Sequence, residues 1–229
     1  MSGAAPEHRA GPRKRLHRTV WGGALVGGIA IGVAVGVLRA SQPAAVPAVS
    51  PAPAGPDVTW AAAAKLAPDF ALTDQAGAPV SIARFRGRPV IVTFIDPLCR
   101  NLCPTEAKVL EAVGARFPSA RRPAIVAVSV DQWGNARRYL LQDMTKWKLS
   151  RNWYWGVGRP AALAKVWAAY KIAVQDSPKT VAGITVHQIS HTEAAFLVDP
   201  RGYQRALFLY PFRAGDVART VRQLAGAQG

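Results

Sequence analysis

The amino-acid sequence predicts an α/β domain built on a mixed sheet, and three features carry that reading. Two uninterrupted apolar runs rich in β-branched residues, at 89–95 and 124–130, have the signature of strands buried on both faces. Each is followed by a segment of helical pattern, the alternation that generates parallel strands. Late in the chain, apolar runs at 194–198 and 205–209 are joined through Asp199-Pro200-Arg201-Gly202, a hairpin signal that adds antiparallel strands before a closing helix.

In chain order, the first segment is basic: residues 1–19 hold Arg9, Arg13, Lys14, Arg15 and Arg18. Residues 20–38 carry no charge. At a rise of about 1.5 Å per residue, a helix of that length nearly crosses a hydrocarbon core of about 30 Å. The expectation is one transmembrane anchor behind a cytoplasmic basic tail, in a single-pass cell-membrane protein whose remaining chain is extracytoplasmic, because positive residues stay on the cytoplasmic side. A cleaved signal peptide is the competing reading. Its apolar region is usually only about 7–15 residues, and Leu38-Arg39-Ala40 is a poor cleavage site. Gly28, Gly32 and Gly36 recur every four residues, a spacing that lets two helices approach closely and makes a homodimer one admissible assembly. Glycine is, however, common in membrane helices generally.

Residues 39–57 are rich in Pro and Ala without periodicity, the composition of a semi-extended linker. Residues 58–229 remain for one domain with a sizeable core. The formal net charge is +16, and Lys and Arg continue through the domain. No nucleic-acid motif accompanies that charge, and the outward topology argues against nucleic acid; anionic lipid headgroups or an acidic partner fit better, beside the plain alternative of a solvated basic surface.

Within the domain, residues 70–73 and 80–82 flank a turn-rich loop and suggest a hairpin. The strand at 89–95 leads through a cysteine turn into a helix opened by Pro104, with Val109, Val113 and Phe117 on one face and Pro118 at its end. After the strand at 124–130 come a helix at 136–147, a short strand at 153–155 and a helix at 160–170. Residues 185–192 precede the late hairpin without an assigned element, and the final helix covers 215–224.

The chain has two cysteines, Cys99 and Cys103. A disulfide between them would close a ring too small to act as a staple, worth less than the roughly 3 kcal/mol of a 15-residue loop. Pro104 suits the first helical position, which puts Cys103 near the N-cap and Cys99 in the preceding turn. Orphan N–H groups, the helix dipole and Arg100 then favour thiolate at both sulfurs. The pair is expected to react with metals and disulfides; the bland alternative is two buried structural cysteines. The Cys-x-x-x-Cys spacing is one residue wider than the usual redox pair, which lets two thiolates flank a metal while a disulfide stays feasible. For a third ligand, His8 and His17 are excluded by topology, leaving His187 and His191. These two lack the Glu directly after the first His that a zinc-hydrolase pair would carry, and alone each reads as a polar loop residue.

Taken together, the runs Phe70-Ala-Leu-Thr-Asp-Gln-Ala-Gly, Phe85-Arg-Gly-Arg-Pro-Val-Ile-Val-Thr-Phe, Cys99-x-x-x-Cys103-Pro104 and His191-Thr-Glu-Ala-Ala-Phe-Leu-Val-Asp-Pro-Arg-Gly resemble the Sco/SenC family over the whole domain after the linker. The resemblance implies a thioredoxin-like domain with a mixed sheet, tethered to the membrane. It also implies copper binding, as Cu(I) or Cu(II), and a role in assembling the copper A centre of cytochrome c oxidase. It implies Cys99, Cys103 and His191 as copper ligands, and the copper-bearing oxidase subunit, or another copper or thiol protein, as partner. Ligand softness agrees, since two thiolates select Cu(I) and imidazole suits Cu(II). Three positions depart from the family pattern: Arg100 stands where Pro is usual, Asp96-Pro97 replaces an aromatic-Thr pair, and residues 131–135 lack a second acidic residue. These bear on copper affinity and partner identity more than on fold. Beside copper delivery stands a thiol-disulfide oxidoreductase using Cys99 and Cys103 as its redox pair, for which His191 would be dispensable. A peroxidase-like thiol protein lacks an evident peroxidatic Cys. His191 at the matching position favours copper.

Overall fold

The computed structural model describes residues 55–226. The expected basic tail, the membrane span and the linker up to residue 54 lie outside the described residues. Among the described residues, no helix is long and apolar enough to cross a membrane.

Val90–Ile95 (β4) and Ala124–Ser129 (β5) are buried at every position, as continuous β-branched runs must be when both sheet faces are covered. They pair in parallel, Val90 opposite Ala124 and Ile95 opposite Ser129. Trp153–Gly156 (β6) adds a third parallel strand beyond β5. Parallel neighbours need long crossovers, and the helices Leu102–Gly114 (α1) and Arg137–Lys146 (α2) lie in them. On the other side of β4 the pairing reverses: Ala194–Val198 (β9) is antiparallel to β4, Gln204–Leu209 (β10) to β9, and Val58–Thr59 (β1) to β10. The order β1-β10-β9-β4-β5-β6 is the expected mixed sheet of a thioredoxin-like domain. The β9–β10 turn falls at the expected residues, with Gly202 at φ 87° and Asp199 Oδ1 accepting from the N–H groups of Arg201 and Tyr203.

The two-residue period of β4 divides the core. Ile91 and Ile95 pack with Ala107, Leu110 and Val113 of α1 and with Val217 and Val221 of the last helix, Ala214–Gly226 (α4). Val90, Val92 and Phe94 face the opposite layer, built from Leu163, Val166 and Tyr170 of Pro160–Tyr170 (α3) and from the small hairpin of Leu72–Thr73 (β2) and Pro79–Val80 (β3). Burying a side chain of this size contributes about 1.5–3 kcal/mol, so both layers press β4 into place and fix where its C-terminal end, the start of the cysteine turn, emerges.

The differences from expectation that bear on the site are at α1 and at the histidine segment. Helix α1 starts at Leu102, not at Pro104, because Asn101 takes the N-cap position and its side chain accepts from the Leu102 N–H at 2.8 Å. Cys103 therefore lies inside the first turn. Pro104 follows as the third helical residue, still within the turn where a missing N–H costs nothing. The second difference is larger: residues around His187 and His191 form no loop. Val174–Val181 (β7) and Ile184–His191 (β8) make a separate antiparallel ribbon, Val174 opposite His191 and Val181 opposite Ile184. Ala182 and Gly183 turn it with φ of 50° and 77°, the double positive φ that suits a two-residue hairpin. The alternation Ile184-Thr185-Val186-His187 is broken at Gln188-Ile189, and Pro178 in the first arm counts against a strand; a two-stranded ribbon tolerates it because both arms are edges.

Candidate metal centre

The sheet order brings the site together. Strand β4 delivers Cys99 and Cys103 at its C-terminal end, and β9, its antiparallel neighbour, begins beside that end. Only Thr192 and Glu193 separate β9 from β8, so the last residue of the ribbon, His191, is carried over the cysteine turn. Its Nε2 lies 3.8 Å from Cys103 Sγ across 88 residues of chain. The ring's Nδ1 is 3.2 Å from the Thr192 carbonyl. A carbonyl only accepts, so Nδ1 carries the proton and Nε2 presents its lone pair to the sulfur. Burial pulls the His191 pKa down, which keeps the imidazole neutral and available as a ligand.

Cys99 and Cys103 are both free thiols. Cys99 is half-buried, and its Sγ accepts from the Cys103 N–H at 3.4 Å. The Cys103 thiol and the backbone N–H groups around it draw Cys99 down to about 5. Cys103 is buried, and the adjacent Cys99 sulfur together with burial pushes its thiol well up. This corrects the expectation of two equal thiolates: a second negative sulfur beside the first is unfavourable, and only Cys99 sits where the orphan N–H groups point. Arg100 is not the main reason. Its guanidinium donates to the carbonyls of Pro97 and Cys99 at 2.9 and 2.8 Å and faces the buried Asp143 at 3.6 Å, tying the cysteine turn to α2.

His187 lies elsewhere. Its ring stacks on Trp133 with 3.5 Å between centroids and 17° between planes, and Nδ1 contacts Asp176 Oδ2 at 2.8 Å. It fastens the ribbon to the loop after β5, and of the two histidines only His191 meets a sulfur.

Three acidic residues near the sulfurs were not among the candidate ligands read from the sequence. Glu193 joins Cys103 and His191 in a group whose ligand atoms all lie within 4.8 Å of one another; its two-residue offset from His191 was the available signal. Glu106, one helical turn after Cys103, is fully buried and raised to about 8 by burial. Thr93 Oγ1 lies 2.5 Å from Glu106 Oε1 and 3.1 Å from the Ala194 carbonyl. The hydroxyl has one proton for these two neighbours, so a carboxyl that keeps its own proton completes both contacts. Asp96, at the end of β4, is raised to about 7, mainly by burial, and its Oδ1 accepts from the Leu98 N–H at 2.6 Å.

The donor set fits a soft first-row metal. Two donors sharing such an ion lie at most about 4.3 Å apart for sulfur and nitrogen, and the Cys103–His191 pair meets that limit. Cys99 lies outside the 4.8 Å group but lines the same open cleft of about 490 Å³ as His191 and Glu193. Leu102 and Leu209, both exposed, rim that cleft.

A thioredoxin-like sheet whose inner strand ends in a Cys-x-x-x-Cys turn, with a histidine laid over it by a separate ribbon, defines a thiol-pair protein built for soft-metal or disulfide chemistry. The SCO1/SenC family profile matches residues 59–226, and the chain belongs to that family. No curated protein matches the chain. Among solved structures, copper-bound ScoI of Bradyrhizobium japonicum shares 23% identity with a TM-score of 0.58, over 69% of this chain and 99% of that one. Copper-bound yeast Sco1 shares 15% at a TM-score of 0.63, over 72% and 91%. BsSco, described with a disulfide switch and as a member of the Sco family of cytochrome c oxidase assembly proteins, shares 19% at 0.56, over 72% and 95%.

Proposed function

We propose that this protein is a membrane-tethered copper-binding protein that delivers copper to the copper A site of cytochrome c oxidase during assembly, holding it with Cys99, Cys103 and His191. The observation that carries the reading is His191 Nε2 at 3.8 Å from Cys103 Sγ, which sets an imidazole lone pair beside the sulfur pair as a third donor. The copper-bound relatives support it. Two thiolates hold Cu(I), the imidazole extends the site to Cu(II), and the open cleft lets a partner's ligands approach to take the ion.

The test is a titration with Cu(I) and Cu(II) under competition, with metal counting. Cys99→Ala and Cys103→Ala should each lose tight Cu(I) binding. His191→Ala should weaken Cu(II) more than Cu(I), and His187→Ala should leave both nearly unchanged because that ring serves the Trp133 contact. In cells, His191→Ala should lose oxidase activity nearly as fully as Cys99→Ala, with partial recovery on added copper.

A thiol-disulfide oxidoreductase remains the second reading, favoured by the unequal sulfurs. The half-buried thiolate at Cys99 can attack a target disulfide, and Cys103, passing its proton to the departing target sulfur, can then displace the target from the mixed disulfide; the target gains two electrons and Cys99–Cys103 is left oxidised. Full oxidase activity in the His191→Ala strain, with the Cys variants rescued by a thiol reductant, would establish that reading instead.

A further inference from the structure

Building on the copper reading, we propose that Glu193 is a fourth, oxygen donor to the Cys99, Cys103 and His191 site, and that it engages Cu(II) in preference to Cu(I). The carboxylate stands with Cys103 Sγ and the His191 ring nitrogen in the 4.8 Å group. Its backbone is fixed there, the carbonyl accepting from the Tyr210 N–H at 3.0 Å. Among the described residues, the Glu193 side chain makes no hydrogen bond and no ion pair, although the chain carries a net charge of +16. The contrast is informative, because Asp74, Asp143, Asp176, Asp199 and Asp216 all face a basic side chain, while Asp57, Asp69, Asp96, Asp131 and Glu111 accept from backbone N–H groups and Glu106 bonds Thr93. An acid left unpaired on a basic protein, facing a cleft with a thiol and an imidazole lone pair, is placed for a cation. Glu106, the other glutamate near the sulfurs, cannot serve: it is enclosed in the core and engaged with Thr93.

The preference for the higher oxidation state follows from charge and hardness. Two thiolates and a neutral imidazole around Cu(I) already leave an excess negative charge, which a carboxylate would double. Around Cu(II) the same four donors leave only one. Carboxylate oxygen is also the hard member of the set, matched to the harder ion. Glu193 therefore acts as an arm that closes on the oxidised ion and lets go of the reduced one, the form that two sulfurs hold unaided.

The experiment uses the full chain in detergent, loaded with one equivalent of Cu(II). Glutamate is sparse here, at Glu7, Glu106, Glu111 and Glu193, so 13C-glutamate labelling of the unmutated protein should give a carboxylate 13C coupling in pulsed EPR. Glu193→Gln should abolish that coupling and weaken Cu(II) by about tenfold while Cu(I) affinity, read by competition with a Cu(I) chelator, changes less than about threefold. A tenfold loss confined to Cu(II) raises the one-electron potential by about 59 mV. Glu193→Asp, which keeps the carboxylate, should recover part of the Cu(II) affinity. If the wild-type chain binds copper through Cys and His but shows no 13C coupling, or if Glu193→Gln binds Cu(II) as tightly as the wild type, the fourth donor is overturned and the three-ligand reading stands. If the wild-type chain takes up neither ion, both fall together.

Discussion

At Cys99 and Cys103 the same side chain sits in two environments four positions apart. The Cys103 thiol and backbone N–H stabilise negative charge on Cys99 and hold it at about 5, while the hydrogen bond to that sulfur and burial keep the proton on Cys103. With His191 held neutral by burial, the metal-free site at pH 7 contains one thiolate, one thiol and one imidazole. Ligation by both sulfurs must then release a single proton, from Cys103. Calorimetry in buffers of different ionisation enthalpy should read about one proton per Cu(I) at pH 7. The sign follows: affinity rises with pH, about tenfold per unit above pH 5, and more steeply below it, where Cys99 is protonated as well. Iodoacetamide at pH 7 should modify Cys99 well before Cys103. Two protons released at pH 7, or equal alkylation, would mean that the sulfurs are not divided in this way.

The ribbon of β7 and β8 is the element that separates this site from a bare cysteine pair. Most of its residues are exposed. It is held by its own ladder, by Val174 and Ile189 against the second core layer, and by the His187 stack on Trp133. An element with so few apolar contacts opens more easily than the sheet, and it carries His191 at its end. Gly183 at φ 77° has free space around a Cβ, so a side chain there is opposed by backbone strain alone, about 1–2 kcal/mol. Gly183→Val should speed amide exchange across Ile184–His191 by about tenfold, leave Val90–Ile95 protected, and weaken Cu(II) binding by loosening the imidazole. Equal acceleration in β4 would show that the ribbon and sheet open as one unit.

For the whole molecule, the function depends on where the domain is held. On the topology proposed here, the basic segment at 1–19 ahead of the uncharged run at 20–38 would orient a membrane helix with its N-terminus in the cytoplasm and put the domain outside, where a copper site could meet an oxidase subunit from its exposed face. A C-terminal fusion to a phosphatase that matures only outside the cytoplasm should be active and should sediment with membranes. Activity confined to a reporter that works only in the cytoplasm would reverse the topology.

The sequence by itself determined the buried strands, their alternation with helices, the late hairpin and the cysteine turn, because each rests on local periodicity or turn chemistry that a short window contains. Pro160–Tyr170 and Ala194–Val198 fall where the pattern put them. The family motif also singled out His191 over His187, on the order of residues around it. What the tertiary structure decided is non-local. Glu193 reaches Cys103 because β9 lies against β4, a pairing across about a hundred residues that no short window records. Likewise, Glu106 is held uncharged by the layers that enclose it, and the two sulfurs differ through burial and the exact start of α1 at Leu102, where Asn101 took the cap. Periodicity reports which face of an element is buried; only the packed sheet establishes which buried faces, and which charges, meet.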